Sequence, residues 1–426
     1  MTIFKGLPDF DGGRLIPAIY NIGCGTENEF TSDGLKDGYA FLVADTDREE
    51  YKAYISKLTV CGYKVIFENG IGDDLFTQLE GEYLLYIYHT SKKRETRIII
   101  EGETGKISDF GYSGKGSSPV LVIQHGLYYD PENGHSPTTT NCGMFYIVRL
   151  PDNSLFLIDG GDILQCCDEA VAGRIDLMRR ITGTKQGEKI RIAGWFITHA
   201  HNDHFDGCSK MLNRYSDILS VERFIFNFPC TAIRRPDSRA ELFKETINKY
   251  CPGAKYLKAH RGQFFELSGV RFEVLYACED AIRADSPVSY PLRDYNCTST
   301  ILKMSFDGLS VMWLGDTNVE TEDIVTSIYD PDIWKSVVVQ VAHHCFNYLS
   351  KLYPWIDANY AMLPNSYFGG HTPENLPKLA DVINRLPDEN NIWYSERTTG
   401  FEFIDGKYTK VIDEDLIGKD YDGSGF

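Results

Sequence analysis

The first 110 residues alternate between short apolar runs and one longer amphipathic segment, a pattern that predicts a small α+β domain. The longer segment, residues 47–60, has apolar side chains at helical spacing, and Asp47 is placed to cap the helix N-terminus. The side chains predicted to share one helical face are Tyr51, Tyr54, Ile55 and Leu58. Strands are predicted at residues 39–44, 63–67, 82–89 and 96–100. We expect this domain to span residues 1–115.

Beyond residue 119 the pattern changes to many apolar strands separated by helical segments. A stretch rich in glycine and serine, residues 102–119, separates the two parts. Strands are predicted at residues 120–124, 144–150, 155–158, 192–197, 221–226, 270–276, 299–306, 309–314, 336–342 and 360–363. Helices are predicted at residues 168–181, 205–215, 319–329 and 374–385. Strands interspersed with helices indicate a layered α/β domain, which we expect at residues 119–412, followed by a C-terminal tail at 413–426.

The composition is that of a globular protein with a large acidic excess. The chain has 426 residues, of which 42% are hydrophobic and 24% charged, and its formal net charge is −18. This charge disfavours nucleic acid as a partner, because binding it requires Lys and Arg to neutralise phosphates. The 11 cysteines form no CxxC pair, and we find no signal-like segment and no apolar run of about 18 residues. We expect a cytoplasmic protein with a small-molecule substrate and no membrane contact; oligomerisation remains open.

Residues 199–204 carry the strongest chemical signal in the chain. They contain three histidines and an aspartate, His199, His201, Asp203 and His204, directly after a predicted buried strand. Neutral imidazole and carboxylate are preferred Zn²⁺ ligands, and such a cluster would be costly to bury without a metal. His199 and His201 are two residues apart and can point the same way along an extended backbone. Asp203 and His204 follow as the chain turns, so the spacing favours two ions over one.

Three further candidate sites follow apolar strands downstream. Asp316 comes after the strand at 309–314, and its carboxylate is able to bridge two ions with its two oxygens. His343 and His344 come after the strand at 336–342, and His371 lies beyond the strand at 360–363. Six of the ten histidines lie in the first cluster and these later segments. Together they supply the ligands that a dinuclear site needs beyond the first motif.

These motifs resemble those of the metallo-β-lactamase superfamily. The matching elements are Asp159 in Leu-Ile-Asp-Gly-Gly, the His-x-His-x-Asp-His motif at 199–204, Asp316 in Leu-Gly-Asp-Thr and the later histidines. The resemblance covers about residues 120–410 and implies an αββα sandwich. The segments at 295–302, 313–316 and 341–344 are similar to the branch that contains competence-type DNA-uptake hydrolase domains and bacterial phosphorylcholine esterases. That branch has His-His-Gly-Ser where this chain has His343-His344-Cys345-Phe346, so the resemblance leaves the substrate open.

The resemblance also implies a division of ligands between two divalent ions, zinc first, with manganese or iron as alternatives. One ion would be held by His199, His201 and either His343 or His344, with His344 slightly favoured. The other would be held by Asp203, His204 and His371, and Asp316 would bridge the two. Asp159 would fix the histidine loop without touching metal. Asp203 and His343 are the expected catalytic residues, and the histidine that is not a ligand would touch the substrate or protonate a leaving group. His260 is an alternative third histidine ligand.

The implied activity is that of a metal-dependent hydrolase. Two ions lower the pKa of a shared water, so that hydroxide forms at neutral pH and attacks the substrate. A phosphoester is the favoured substrate, and a lactone, thioester or amide is the alternative on the same site. Two other hypotheses are a di-iron redox enzyme, since imidazole also suits iron, and a non-catalytic binding protein.

Overall fold

The structure, a computed structural model, describes most of the chain. The described residues are 1–16, 20–21, 38–102, 104–112, 114, 116–126, 143–162, 166–228, 239–281, 284, 295–404 and 407–415. Within them the strands form three sheets, called here the N-terminal sheet, the first sandwich sheet and the second sandwich sheet. No helix in this described part has the length and apolar character that crossing a membrane requires.

The N-terminal sheet is antiparallel and carries one helix. Its strands are β1 (Arg14–Leu15), β2 (Tyr20–Asn21), β3 (Gly38–Ala44), β4 (Lys64–Ile71), β5 (Asp74–Glu80), β6 (Leu84–Thr90) and β7 (Glu95–Glu101). They lie in the order β1-β3-β7-β6-β5-β4, with β2 beside β3. Helix α1 (Arg48–Val60) begins at a capping box, in which Asp47 and Glu50 each accept from the other's backbone N–H. The four side chains predicted for its apolar face are its buried residues, which confirms that prediction.

The first sandwich sheet begins after the glycine-rich stretch. Its strands are β8 (Val120–Gln124), β9 (Phe145–Arg149), β10 (Leu155–Asp159), β11 (Ile190–Phe196), β12 (Leu219–Val221), β13 (Arg223–Phe226) and β14 (Lys255–Lys258). Strands β10, β11, β13 and β14 are parallel neighbours, whereas β8, β9 and β10 are antiparallel. The strand predicted at 221–226 is divided between β12 and β13. The parallel half of the sheet brings several strand ends to one edge.

The second sandwich sheet follows the chain order throughout. Its strands are β15 (Phe264–Leu267), β16 (Val270–Tyr276), β17 (Ile301–Phe306), β18 (Leu309–Trp313), β19 (Val338–Gln340), β20 (Tyr360–Leu363) and β21 (Ile392–Tyr394). Pairing is antiparallel up to β18 and parallel from β18 to β21. The chain then returns to the first sheet as β22 (Arg397–Ile404) and β23 (Lys407–Asp415), with β22 beside β8. Strand β23 extends three residues past the predicted domain end at 412.

The two sandwich sheets pack face to face and are flanked by helices. Ring centroids of Phe156 and Phe272 lie 4.0 Å apart across the interface, and those of Tyr146 and Trp313 lie 4.9 Å apart. The first sheet's other face packs against α2 (Asp168–Thr182), α3 (Asn202–Tyr215) and α4 (Arg239–Tyr250). The core that holds the second sheet includes residues of α5 (Val319–Ile328), α6 (Leu352–Ile356) and α8 (Leu376–Ile383). The predicted α/β sandwich is thereby confirmed.

The N-terminal sheet shares a continuous core with the sandwich. Its residues Phe76 and Tyr86 are fully buried in the same apolar cluster as the second sandwich sheet. The hydroxyl of Tyr86 donates to the carbonyl of Arg261 at 2.8 Å, and that of Tyr88 donates to Asp280 at 3.0 Å. The N-terminal part is therefore joined to the sandwich by apolar packing and by buried hydrogen bonds.

Candidate metal centre

The predicted site residues lie at the carboxyl ends of strands in both sandwich sheets. Asp159 ends β10, and His199 follows β11, its parallel neighbour. Asp316 follows β18, and His343 and His344 follow β19, which is parallel to β18. Ends of parallel strands meet at the same edge of a sheet, which is where α/β proteins place their ligand sites. The sandwich therefore brings both halves of the predicted site to one edge.

Helix α3 begins earlier than predicted and presents two of the site residues. The prediction began the helix at residue 205, but α3 starts at Asn202, with His201 at the N-cap position. Asp203 and His204 are thus in the first helical turn rather than in a loop. A carboxylate is favoured in the first turn because the helix dipole is positive there. The helix geometry therefore fixes the positions of Asp203 and His204.

Asp316 is the centre of the cluster. Its carboxylate is 2% exposed, and its Oδ2 lies within 3.8 Å of an imidazole Nε2 on each of four histidines. The distances are 3.3 Å to His204, 3.6 Å to His344, and 3.8 Å to both His199 and His343. The backbone N–H of Asp316 donates to Ser299 Oγ at 3.0 Å, which holds the loop in place. This carboxylate lies where a bridging ligand would be needed.

The potential ligand atoms form two groups that share Asp316. In each group, one atom from every residue lies within 4.8 Å of the others. The first group contains His199, His201 and Asp316, and the second contains Asp203, His204, Asp316 and His344. The structure therefore brings together six of the seven predicted ligands and leaves out His371. A His/Asp group of this kind is able to bind a metal ion.

The grouping corrects the expected position of His344. The resemblance implied that His343 or His344 joins His199 and His201, but His344 belongs to the other group. The physical reason is a hydrogen bond from its Nδ1 to the carbonyl of Pro364 at 2.9 Å, which directs Nε2 to within 3.1 Å of Asp203 Oδ2. Such a bond to the second ring nitrogen is typical of metal-bound histidines. This contact could not be predicted from the sequence, because Pro364 follows a different strand, β20.

His371 lies outside both groups. Its ring stacks on that of Tyr367, with centroids 3.8 Å apart, and its Nδ1 donates to the carbonyl of Tyr367 at 2.7 Å. Tyr367 begins the short helix α7 (Tyr367–Gly370), and His371 follows its end. The local helix, which the sequence analysis did not predict, fixes this imidazole against its own turn instead of against Asp203 and His204.

Asp159 supports the histidine loop without joining either group. Its fully buried carboxylate accepts hydrogen bonds from His204 Nδ1 at 2.8 Å and from the backbone N–H of Thr198 at 2.8 Å. The Thr198 hydroxyl also donates to this carboxylate, at 3.0 Å to Oδ2. Because Nδ1 of His204 is hydrogen-bonded to Asp159, its Nε2 faces Asp316. Asp159 therefore lies behind the His204 imidazole, on the side away from Asp316.

His343 occupies the more open side of the cluster. Its side chain is 22% exposed, whereas that of His344 is 2% exposed. The side-chain amide of Asn296 lies 3.2 Å from His343 Nε2, and the ring centroid of Phe346 lies 5.5 Å from that of His343. The sequence analysis did not single out Asn296, although it lies in the segment 295–302 that carried the resemblance. His343 is thus more exposed than the other three histidines whose Nε2 faces Asp316.

The backbone that carries the two histidines is left-handed over three successive residues. The φ angles are +48° at His343, +52° at His344 and +68° at Cys345. Residues other than glycine rarely adopt this region, and each such residue costs about 1–3 kcal/mol when strained. Cys345 thus carries a side chain in a backbone conformation that glycine would adopt without strain. The turn allows both imidazoles to approach Asp316.

The electrostatics of the cluster fit a cation. Burial alone would raise the pKa of Asp316, but His204 and His344 lower it well below its ordinary value. Burial likewise acts to lower the pKa of His204, and the carboxylates of Asp316, Asp159 and Asp203 raise it. Among the described residues, Asp316 Oδ1 is buried and accepts no hydrogen bond, which is costly unless a ligand satisfies it. A divalent ion would satisfy this oxygen and the facing imidazole nitrogens together.

His260, the alternative third histidine ligand, lies in a different buried cluster. Its Nδ1 contacts Glu279 at 2.7 Å and its Nε2 contacts Glu101 of the N-terminal sheet at 3.1 Å. Both nitrogens are therefore engaged away from Asp316. The sequence could not show this arrangement, because Glu101 is 159 positions away along the chain.

No family model matches the chain, and neither does any curated protein. The similar solved structures include proteins described as having the metallo-β-lactamase fold. YhfI from Bacillus subtilis has a TM-score of 0.40 at 13% identity, over 69% of this chain and 100% of YhfI. A mutant of the β-hydroxylase CmlA has a TM-score of 0.39 at 10% identity, over 68% of this chain and 55% of CmlA. Zn²⁺-bound PqqB from Methylobacterium extorquens has a TM-score of 0.34 at 12% identity, over 52% of this chain and 72% of PqqB.

Proposed function

We propose that the chain is a metal-dependent hydrolase of the metallo-β-lactamase superfamily, with two divalent ions at the cluster around Asp316. The observation that carries this proposal is the pair of ligand groups that share the Asp316 carboxylate. His199 and His201 would hold one ion, and Asp203, His204 and His344 the other. Zinc is the favoured metal because the donors are imidazole nitrogens and carboxylate oxygens.

When bound, two such ions supply Lewis-acid activation of water and of the substrate. The protein's own contribution is to fix the ligands before the substrate arrives. Asp159 holds His204 through Nδ1, and the carbonyl of Pro364 holds His344 in the same way. Hydrogen bonds to the outer nitrogen orient the imidazoles and increase their basicity. The strain in the turn at residues 343–345 is consistent with a site fixed by the surrounding fold.

His343 is the residue to which we assign proton transfer to the leaving group. It lies 3.8 Å from the Asp316 carboxylate, is more exposed than the other histidines that face Asp316, and is not part of either ligand group. General acid catalysis contributes about 10²–10⁴-fold, and it matters most for a poor leaving group. His343→Ala should therefore slow hydrolysis of a phenyl ester far more than that of a p-nitrophenyl ester. Equal losses of hydrolysis rate on the two esters would contradict this assignment.

A phosphoester is the substrate class that we favour. Two cations near one carboxylate would offset the charge of a phosphate even though the whole protein carries −18. Lactones, thioesters and amides are the alternatives for the same chemistry, and they need less charge compensation.

The test is hydrolysis by metal-loaded protein across these classes. We expect zinc- or manganese-loaded protein to cleave bis-p-nitrophenyl phosphate and Asp203→Ala to lose at least about 10²-fold of that activity, since it removes a ligand. Arg214→Ala, an exposed change on the same helix, is the matched control. Activity on a lactone or amide panel but not on phosphoesters would reassign the substrate. Inactivity of the reconstituted protein with zinc, manganese and iron on all classes would overturn the proposal.

A further inference from the structure

Beside the cluster lies a group of rings that the proposed reaction does not use. Tyr367, His371 and Tyr394 pack together, with the Tyr367 ring stacked on His371 at 3.8 Å and set edge-on to Tyr394 at 5.3 Å. Tyr367 nevertheless remains 47% exposed. Two neighbouring rings thus fix the orientation of an aromatic side chain whose surface is still open to solvent.

The position of this group relative to the metal centre follows from the chain. Pro364, whose carbonyl holds His344, is three residues before Tyr367, so their Cα atoms are at most about 11 Å apart. The backbone N–H of Ser395, next to Tyr394, donates to the carbonyl of Asn365 at 2.9 Å, and the Asn365 side chain donates to the carbonyl of His344 at 2.8 Å. The rings therefore border the loop that carries His344, where a non-reacting part of a substrate would lie.

We propose that Tyr367 is a specificity-determining residue that stacks on a planar heteroaromatic ring, such as a nucleobase, of a small phosphoester substrate. Stacking of a base on an aromatic side chain is worth about 1–3 kcal/mol. The platform is pre-organised, because α7 and the contact with His371 hold the Tyr367 ring before any ligand binds, and pre-organisation lowers the entropy cost of binding. The net charge of −18 favours a single nucleotide over a long polyanion.

This inference rests on the proposed function for the reacting phosphate, but it is tested separately by binding. Zinc-loaded full-length protein is titrated calorimetrically with AMP and with ribose 5-phosphate, which share a phosphate and differ in the ring. We expect AMP to bind about 5–150-fold more tightly, the range that 1–3 kcal/mol of stacking allows. Tyr367→Ala should abolish this preference and leave ribose 5-phosphate binding unchanged, whereas Tyr367→Phe should retain it. Tyr250→Ala, at the end of α4, is the control.

A second arm measures turnover of two esters with the same leaving group, thymidine 5′-(4-nitrophenyl phosphate) and methyl 4-nitrophenyl phosphate. We expect a kcat/KM preference for the nucleoside ester that Tyr367→Ala removes. Turnover of both esters without a preference would overturn the platform and leave the hydrolase intact. If neither ester is turned over but AMP still binds more tightly in a way that depends on Tyr367, the hydrolase proposal is overturned and the platform remains. An unchanged AMP preference in Tyr367→Ala would also overturn the platform.

Discussion

Arg261 joins the N-terminal sheet to the sandwich through buried charges, and its replacement by methionine tests how strongly. The fully buried guanidinium donates from Nη1 to Asp74 of β5 at 2.6 Å and from Nε to Asp280 at 2.9 Å. It also donates to Thr90 of β6 and, at 3.1 Å, to the hydroxyl of Tyr329. Arg261→Met keeps much of the side-chain volume and removes every one of these donors.

The expected cost follows from what the substitution leaves behind. Side chains of Asp74 and Asp280 are 4% and 0% exposed, so both carboxylates would remain buried without their cation. Removing one partner of a buried ion pair costs about 3–5 kcal/mol, because the remaining charge is not compensated. The loss is therefore about 3–5 kcal/mol or more in the free energy of unfolding. That is a large fraction of the roughly 5–15 kcal/mol that stabilises an ordinary protein.

Urea denaturation followed by tryptophan fluorescence measures this loss. The matched control is Arg180→Met, which breaks a bidentate pair with Glu414 whose side chains are 55% and 43% exposed. Exposed pairs contribute about 0–1 kcal/mol, so the control midpoint should hardly move. If Arg261→Met were no more destabilised than Arg180→Met, the buried cluster would not join the two parts in the way described.

Three further predictions concern other features of the chain. Burial acts to lower the pKa of His260, but Glu101 and Glu279 raise it to about 10, above an unfolded value of about 6.5. The stabilisation that the protonated imidazole gives to the folded state is therefore complete below about pH 6.5 and is lost as pH rises through 10. Urea midpoints should therefore fall from pH 7 to pH 10, and the fall should be smaller in His260→Gln; an equal fall in that variant would contradict the assignment. The free energy of unfolding of Cys345→Gly should stay within about 1 kcal/mol of the parent value, because glycine adopts φ +68° without strain. That of Cys345→Val should fall by at least about 2 kcal/mol, because a β-branched residue resists that conformation. Equal thermal denaturation of the two variants would refute the strain. His344→Ala should lower the bound zinc measured by mass spectrometry while His371→Ala leaves it unchanged, and the reverse order would restore His371 as a ligand.

Local features of the fold were predictable from the sequence where neighbouring residues determine them. Helix α1 is an example, since its cap Asp47 and its buried face lie within one segment. Several elements were missed, among them β5, α4, β15 and β22, and β22 depends on a distant partner. Strand β22 pairs with β8 although Thr399 and Gln124 are far apart in the chain. The stability of such strands comes from packing against neighbours rather than from their own propensity.

The candidate site likewise has features that were predictable from the sequence and features that were not. The residues that meet at Asp316 were predictable, because each follows an apolar strand and parallel strand ends share an edge. The position of His344 was not predictable, because it depends on the carbonyl of Pro364 at another strand end. The exclusion of His371 depends equally on the short helix α7. Strand ends thus indicated which residues gather, whereas contacts between loops determine how they are grouped.

The metal content of the purified, zinc-reconstituted chain tests the central claim most directly. Inductively coupled plasma mass spectrometry should find about two zinc ions per chain, because two ligand groups share Asp316. Asp316→Ala should reduce this value to one or fewer, since the residue belongs to both groups, while Asp323→Ala on the exposed side of α5 should leave it at two. A wild-type protein that retains one ion or fewer per chain after reconstitution with zinc, manganese or iron would contradict the account.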